Sequence, residues 1–234
     1  MREDSFFFKS GDLRLERLFY VMFGIEILIF LVISALPAVN PALLIEFKQE
    51  QSSIDTQSYF SMFLSIFPSN LRVATLEFIP ALGTYFYLDS IVVTSYILAL
   101  EGTSIGISGI FLFLSLALLP HTWLEIPSYA VAASTSIYLL YYLVKRRSEL
   151  RQKAKKIFYM YLFVVLELAI AGAVESAEIV FEENYPPPPK FEYPFLMWLP
   201  SIPAILILII LYKRINHADY GKTDDIIEQA EFQS

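Results

Sequence analysis

Long apolar runs, broken by short charged or proline-bearing stretches, dominate this chain. A bilayer core about 30 Å thick needs roughly 20 mostly apolar residues per helix. Six runs approach that requirement: about Arg17 to Leu36, Arg72 to Leu100, Ser104 to Leu119, Thr122 to Val144, Ile157 to Phe181 and Leu196 to Tyr212. They are far longer than the roughly 9–11 residues of a spanning strand, and they lack period-2 alternation. The pattern predicts an all-α fold, a polytopic membrane helix bundle with six transmembrane helices. The third run is short and meets the fourth at Pro120-His121, where a re-entrant hairpin is the alternative to a loop.

Composition agrees. The 234 residues are 56% hydrophobic and 18% charged, with a mean hydropathy of +0.54 and no cysteine. A soluble domain carries about 25% charged residues. These values exclude a disordered chain, a disulfide scaffold and a zinc–cysteine site. A net charge of −7 argues against a nucleic-acid partner.

Lys and Arg stay on the cytoplasmic side of a membrane protein. With the N-terminus inside and six spans, the C-terminus is inside too. Of the 17 basic residues, only Lys48, Arg72 and Lys190 then fall outside. The expected organisation is a cytoplasmic N-terminus (1–16), a membrane domain (17–212) and an acidic cytoplasmic tail (213–234). Within the membrane domain lie an outside loop (38–70), a basic cytoplasmic linker (145–156) and a Pro-rich outside loop (182–195). Tyr59, Phe60, Phe63, Leu64 and Phe67 are spaced to lie along the interface. Pro186 to Pro189 form a stiff strut, read as a rigid loop or a partner ligand. The first span begins too late, and lacks a small-residue cleavage site, to be a removed signal peptide. The location expected is the cell membrane, with multiple passes, and the basic linker meets anionic lipid.

Carboxylates inside the spans are the candidate chemistry: Glu26, Glu77, Asp89, Glu125, Glu167, Glu175 and Glu178. A charge at the bilayer centre costs roughly 2.5–3.5 kcal/mol on insertion scales, so these groups are expected to face the bundle interior, sit near an interface, be protonated or hold a cation. Helical geometry places Glu178 about 20° from Glu167 in projection. Glu77, Glu125, Glu175 and Glu178 are expected in the outer half, and Glu26, Asp89 and Glu167 nearer the middle. Arg72 and His121 are the only basic groups at membrane depth, so ion pairing cannot neutralise all seven acids. The remainder must be protonated, hydrated or bound to a cation. A proton or cation path is one reading; acids that only fix helix packing are the other.

Thr122 and Glu125 have capping-box spacing, and His121 and Glu125 are i, i+4 neighbours. Two histidines and no H-E-x-x-H motif leave no metal site. No nucleophile elbow, Walker lysine or dinucleotide turn is present. No enzymatic activity and no cofactor are expected.

Asn70-Leu71-Arg72-Val73-Ala74, Leu119-Pro120-His121 with Glu125 and Pro127, and Ala171-Gly172-Ala173-Val174-Glu175 occur in that order. This pattern resembles the stage II sporulation protein M family, apart from Thr122 where a glycine is usual after Pro-His. The resemblance implies a polytopic membrane component. Its namesake holds cell-wall-remodelling partners at the membrane during engulfment, and most relatives occur in cells that never sporulate. The function expected is a non-enzymatic scaffold or component of a membrane complex, with membrane-protein partners or a second copy of itself. The alternative is a transporter or channel subunit moving protons or cations through His121, Glu125, Glu175, Glu178, Arg72, Glu77, Asp89 and Glu167.

Overall fold

The computed structural model describes residues 5–9, 12–184 and 194–218. The Pro186 to Pro189 strut and most of the acidic tail lie outside the described residues. The chain opens with two-residue strands β1 (Phe8–Lys9) and β2 (Asp12–Leu13), paired antiparallel. Every other element is helical: α1 (Leu15–Ser34), α2 (Pro41–Asp55), α3 (Tyr59–Glu77), α4 (Gly83–Ser104), α5 (Gly109–Leu116), α6 (Thr122–Lys145), α7 (Leu150–Asn184) and α8 (Trp198–His217). A 3-10 turn, Arg147–Glu149, links α6 to α7. The all-α expectation holds.

Helix α6 is the axis of the fold. Ala130, Ala132, Ala133, Ser128, Ser134, Thr135 and Ser136 are all buried, around most of its circumference. Small side chains let four neighbours, α1, α3, α4 and α7, approach its backbone. The hydroxyls of Ser134 and Thr135 donate to carbonyls one turn back, so they bring no unsatisfied group into the core. One core cluster joins α3, α6, α7 and α8, including Ala74, Leu124, Met160, Phe163, Leu168 and Leu208. A second joins α1, α4, α5 and α6 through Met22, Phe30, Tyr87, Ile91, Phe113 and Ile126.

The second predicted span, Arg72 to Leu100, is not one helix. It divides between the end of α3 and α4, with a turn over residues 78–82. Pro80 lacks an N–H and cannot continue the α3 ladder. Ala81 adopts a left-handed backbone, φ 73°. Ser136 of α6 anchors the turn by donating to the Ile79 carbonyl at 2.8 Å. Gly83 restarts the helix because a Cβ there would meet the Glu77 carbonyl oxygen at 1.9 Å.

Cross-helix contacts set the directions. Tyr87 reaches Met22, and the Ala38 N–H reaches Thr103, so α4 runs parallel to α1. Tyr59 reaches the Ala173 carbonyl, and Thr75 reaches Tyr161, so α3 runs antiparallel to α7. Helices α3 and α4 therefore form a hairpin whose tip lies against the middle of α6. Much of the segment expected as an outside loop, 38–70, is thus part of the bundle, because α3 begins at Tyr59 and packs on α7 and α6.

The expected third span, Ser104 to Leu119, contains only the eight-residue helix α5. The first, fourth, fifth and sixth expected spans correspond to α1, α6, part of α7 and α8. Among the described residues, four helices are long and apolar enough to cross a membrane: Leu15–Ser34, Gly83–Ser104, Arg147–Asn184 and Pro194–His217. Asp12 and Arg146, and Lys156 and Asn216, meet at one end of the bundle. Both ends of the described chain therefore lie on the side of the basic linker.

Candidate functional site

The inward-facing carboxylates, buried at Glu26, Glu77 and Glu178 and partly buried at Glu125 and Glu175, fall into two groups joined by a cavity. The first group sits where α6 begins. Pro120 and the Thr122 hydroxyl, which donates to the Leu116 carbonyl at 2.7 Å, tie the start of α6 to the end of α5. That junction turns His121 inward, where its Nδ1 pairs with the Glu178 carboxylate of α7. Asn70 of α3 donates to Glu125 of α6. The Glu125 and Glu175 carboxyls lie against each other across α6 and α7. Three helices thus converge on one imidazole and three carboxyls. The outer oxygens of Glu175 and Glu178 have no hydrogen-bond partner among the described residues.

The second group lies farther along α6, toward the α3–α4 turn that Ser136 anchors. Glu26 of α1 accepts from Tyr87 Oη of α4 at 2.9 Å. Glu77, at the end of α3, accepts from Ser90 Oγ at 3.0 Å, and its other oxygen is unpartnered. Both glutamates are essentially inaccessible, at 1% and 0% exposure. Tyr129 of α6 lies within electrostatic reach of Glu125 and Glu175 and of Glu77 and Glu26.

A cavity of about 260 Å³ connects the groups. Glu26 and Ser90 line it at one end, and Asn70, His121 and Glu125 at the other, with Tyr129 between. Two carboxyls in contact repel each other when both are ionised. Water entering the cavity would have several polar partners, as a buried water requires.

The expected residues therefore divide. His121, Glu125, Glu175 and Glu178 come together. Glu77 is buried but belongs with Glu26 at the hairpin tip and not with the outer acids, because α3 descends beside α7 before turning. Glu167 is buried alone on another face of the bundle, 5% exposed. Arg72 and Asp89 are exposed and belong to neither group. Their helical faces point away from the core, so Asp89 does not look into the bundle and Arg72 does not face the cluster. The capping-box reading also fails: Glu125 turns to Asn70 and Glu175, and Thr122 to Leu116. His121 pairs with Glu178 instead of its i+4 neighbour Glu125. Sequence spacing did not indicate Asn70, Tyr87 or Ser90, whose partners are remote in the chain. Among the described residues, no group of three metal-ligating side chains has the arrangement of a metal site.

The family model described as stage II sporulation protein M matches residues 18–177. The chain belongs to this family. The match begins inside α1 and ends one residue before Glu178, so it includes His121, Glu125 and Glu175. No match was found among the curated proteins or the solved structures. Family membership and the apolar helices together make the chain a membrane protein.

Proposed function

We propose that this family member is a non-enzymatic, multi-pass component of a cell-membrane complex, and that its histidine–carboxylate cluster binds and relays protons or small cations. The observation that carries this reading is the 260 Å³ cavity joining His121, Asn70 and Glu125 to Glu26 and Ser90. A purely structural set of acids needs no such space. Ionisable groups inside a membrane bundle pair, or mark an ion or proton route. The unpartnered oxygens of Glu77, Glu175 and Glu178 support the second use.

The proposed topology places the basic linker and both ends of the described chain in the cytoplasm. Helices α1, α6, α7 and α8 cross, α6 by its 24-residue length with its polar side chains buried against its neighbours, and α4, although long and apolar enough to cross, dips in with α3 from the outer side as a re-entrant pair. The directions of α1, α3, α4 and α7, and the clustering of Lys and Arg at one end, support this arrangement. Helix α2 favours an added scaffold role. None of its residues is buried, and it carries Glu46, Lys48 and Glu50 on the outer side, open to a partner.

Reconstituted vesicles test the proposal. A proton or monovalent-cation flux that falls on Glu175→Gln supports a relay. Absence of flux across pH and ion type, with stable co-purification of other membrane proteins, assigns the chain to the scaffold role alone.

A further inference from the structure

A second cavity, of about 490 Å³, lies on the opposite side of α6 from the acid cluster. It separates α8 from α1 and α6. Helix α8 packs chiefly on α7, so its remaining face leaves a gap walled by Phe19, Val131, Leu208 and Ile209. One end is closed by Trp123 and Trp198, whose indoles donate to the carbonyls of Ala117 and Leu118, each at 2.8 Å. The other end carries Glu16, Tyr20 and Lys213. From Trp198 to Tyr212 is about four turns, roughly 21 Å. The gap is a slot running most of the depth of a bilayer.

Between its ends, two polar groups with unpartnered buried atoms line this otherwise apolar slot. Glu167 is 95% buried, given its 5% exposure, and its Oε2 has no hydrogen-bond partner among the described residues. The buried hydroxyl of Tyr212, one residue from Lys213, also has none. Unsatisfied buried polar atoms each cost roughly 1–3 kcal/mol, so a bound group that meets them is favoured.

We propose that this slot binds a long-chain neutral lipid whose polar end is a hydroxyl, with the chain running toward Trp123 and Trp198. A hydroxyl both donates and accepts, which suits a carboxyl and a phenol together. The rim charges of Glu16 and Lys213 offset each other, so the slot offers no net charge to an anionic head group. A partner helix is too wide: a helix about 10 Å across and 21 Å long occupies well over 1,000 Å³. One water between Glu167 and Tyr212 would have the fewest partners a buried water takes, and it would leave most of the 490 Å³, walled by apolar side chains, unfilled.

Photo-crosslinking of the full chain in liposomes tests this, using a diazirine-bearing long-chain alcohol and the matching hydrocarbon. The alcohol should label residues of the slot, be displaced by unlabelled alcohol, and label more than the hydrocarbon. Ile205→Trp, which fills the slot, should cut the labelling about tenfold, and Glu167→Leu should remove the preference for alcohol by a similar factor. Equal labelling by alcohol and hydrocarbon in the wild type overturns the proposal. So does labelling that Ile205→Trp leaves unchanged in a protein with a wild-type elution profile and helical content. If Ile205→Trp does not fold, displacement by unlabelled alcohol in the wild type decides. Labelling that appears only after a co-purifying chain is stripped away assigns the slot to a protein partner, and also overturns the proposal.

Discussion

His121 of α6 and Glu178 of α7 form a hydrogen-bonded pair across two helices, 57 positions apart in the chain. It is the only ion pair within the bundle interior among the described residues; the other three cluster around Asp12 and Arg146 at the basic end. The pair fixes the start of α6 against the outer end of α7. It also leaves Glu125 and Glu175 facing each other without a cation of their own.

Removing one member of the pair should cost more than removing both. His121→Leu and Glu178→Leu are each expected to destabilise the protein by about 3–5 kcal/mol, because a buried charged or polar group loses its partner. The double variant should fall well short of the sum of the single losses. Thermal unfolding in detergent of the three variants reads the coupling directly. Additive losses would contradict the pairing.

Glycine requirements are equally local. A Cβ on Gly83 would meet the Glu77 carbonyl oxygen at 1.9 Å, and one on Gly109 the Leu98 carbonyl oxygen at 2.3 Å. Both neighbours are backbone and cannot swing aside. Gly83→Ala and Gly109→Ala should each lose about 1–3 kcal/mol through overpacking. Gly24 has open space around it, and Gly24→Ala should be neutral or stabilising by up to about 1 kcal/mol through helix propensity. Folded yield from membranes ranks the three.

Tyr87 is fully buried, and its hydroxyl lies 2.8 Å from the Met22 carbonyl and 2.9 Å from Glu26. Tyr87→Phe keeps the ring in the core and removes only the oxygen. The expected cost is about 1–3 kcal/mol, since Glu26 loses its one hydrogen-bond partner among the described side chains. A Tyr87→Phe, Glu26→Gln double variant should recover part of it. A melting temperature unchanged by Tyr87→Phe would mean that water already serves Glu26.

The N-terminal hairpin should respond to acid. Burial opposes ionisation of Asp12, but hydrogen bonds and charge from Lys153 and Arg146 outweigh it and hold the carboxyl below its ordinary value of 3.8. A depressed folded value stabilises the hairpin above the unfolded value, and that contribution is lost as pH falls through the folded one. Hydrogen-exchange protection at Leu13 to Leu18, corrected for the intrinsic pH dependence of amide exchange, should therefore change little from neutrality to about pH 5 and fall below about pH 4. Asp12→Asn should be weakly protected at every pH and lose the acid step. Salt should weaken the contact in the wild type, because it is half exposed.

Glu175 and Glu50 make a contrasting pair. Glu175→Lys replaces a carboxyl packed between Glu125 and His121 with a longer ammonium-bearing side chain that must be desolvated at membrane depth, and it should abolish folded protein in membranes. Glu50→Lys on exposed α2 should change stability by less than about 0.5 kcal/mol. Similar yields of both would contradict the placement of Glu175 in the cluster.

Much of the fold was legible because apolar runs report burial in lipid directly. The edges of α1, α6 and α8 fall within a few residues of where hydropathy placed them. The misreadings share one cause. Hydropathy is blind to direction within a run, so Arg72 to Leu100 looked like one span although Pro80 and Ala81 fold it into a hairpin. That turn moves Glu77 away from the outer acids and leaves Arg72 and Asp89 on the surface. Ser104 to Leu119 looked like a span because its residues are apolar, yet α5 is too short to cross.

The sequence by itself determined that this is an all-helical membrane protein, which helices begin at Thr122 and near Leu15 and Trp198, and that its intramembrane acids outnumber any cations available to them. Those properties follow from composition and from the 20-residue scale of a bilayer. Only the tertiary structure decided which acids meet. The pairing of Glu178 with His121, of Glu125 with Asn70 and Glu175, and of Glu26 with Tyr87 depends on how α3 and α4 fold back beside α6. Contacts between residues far apart in the chain arise from packing, and helical periodicity within one segment carries no record of its neighbour.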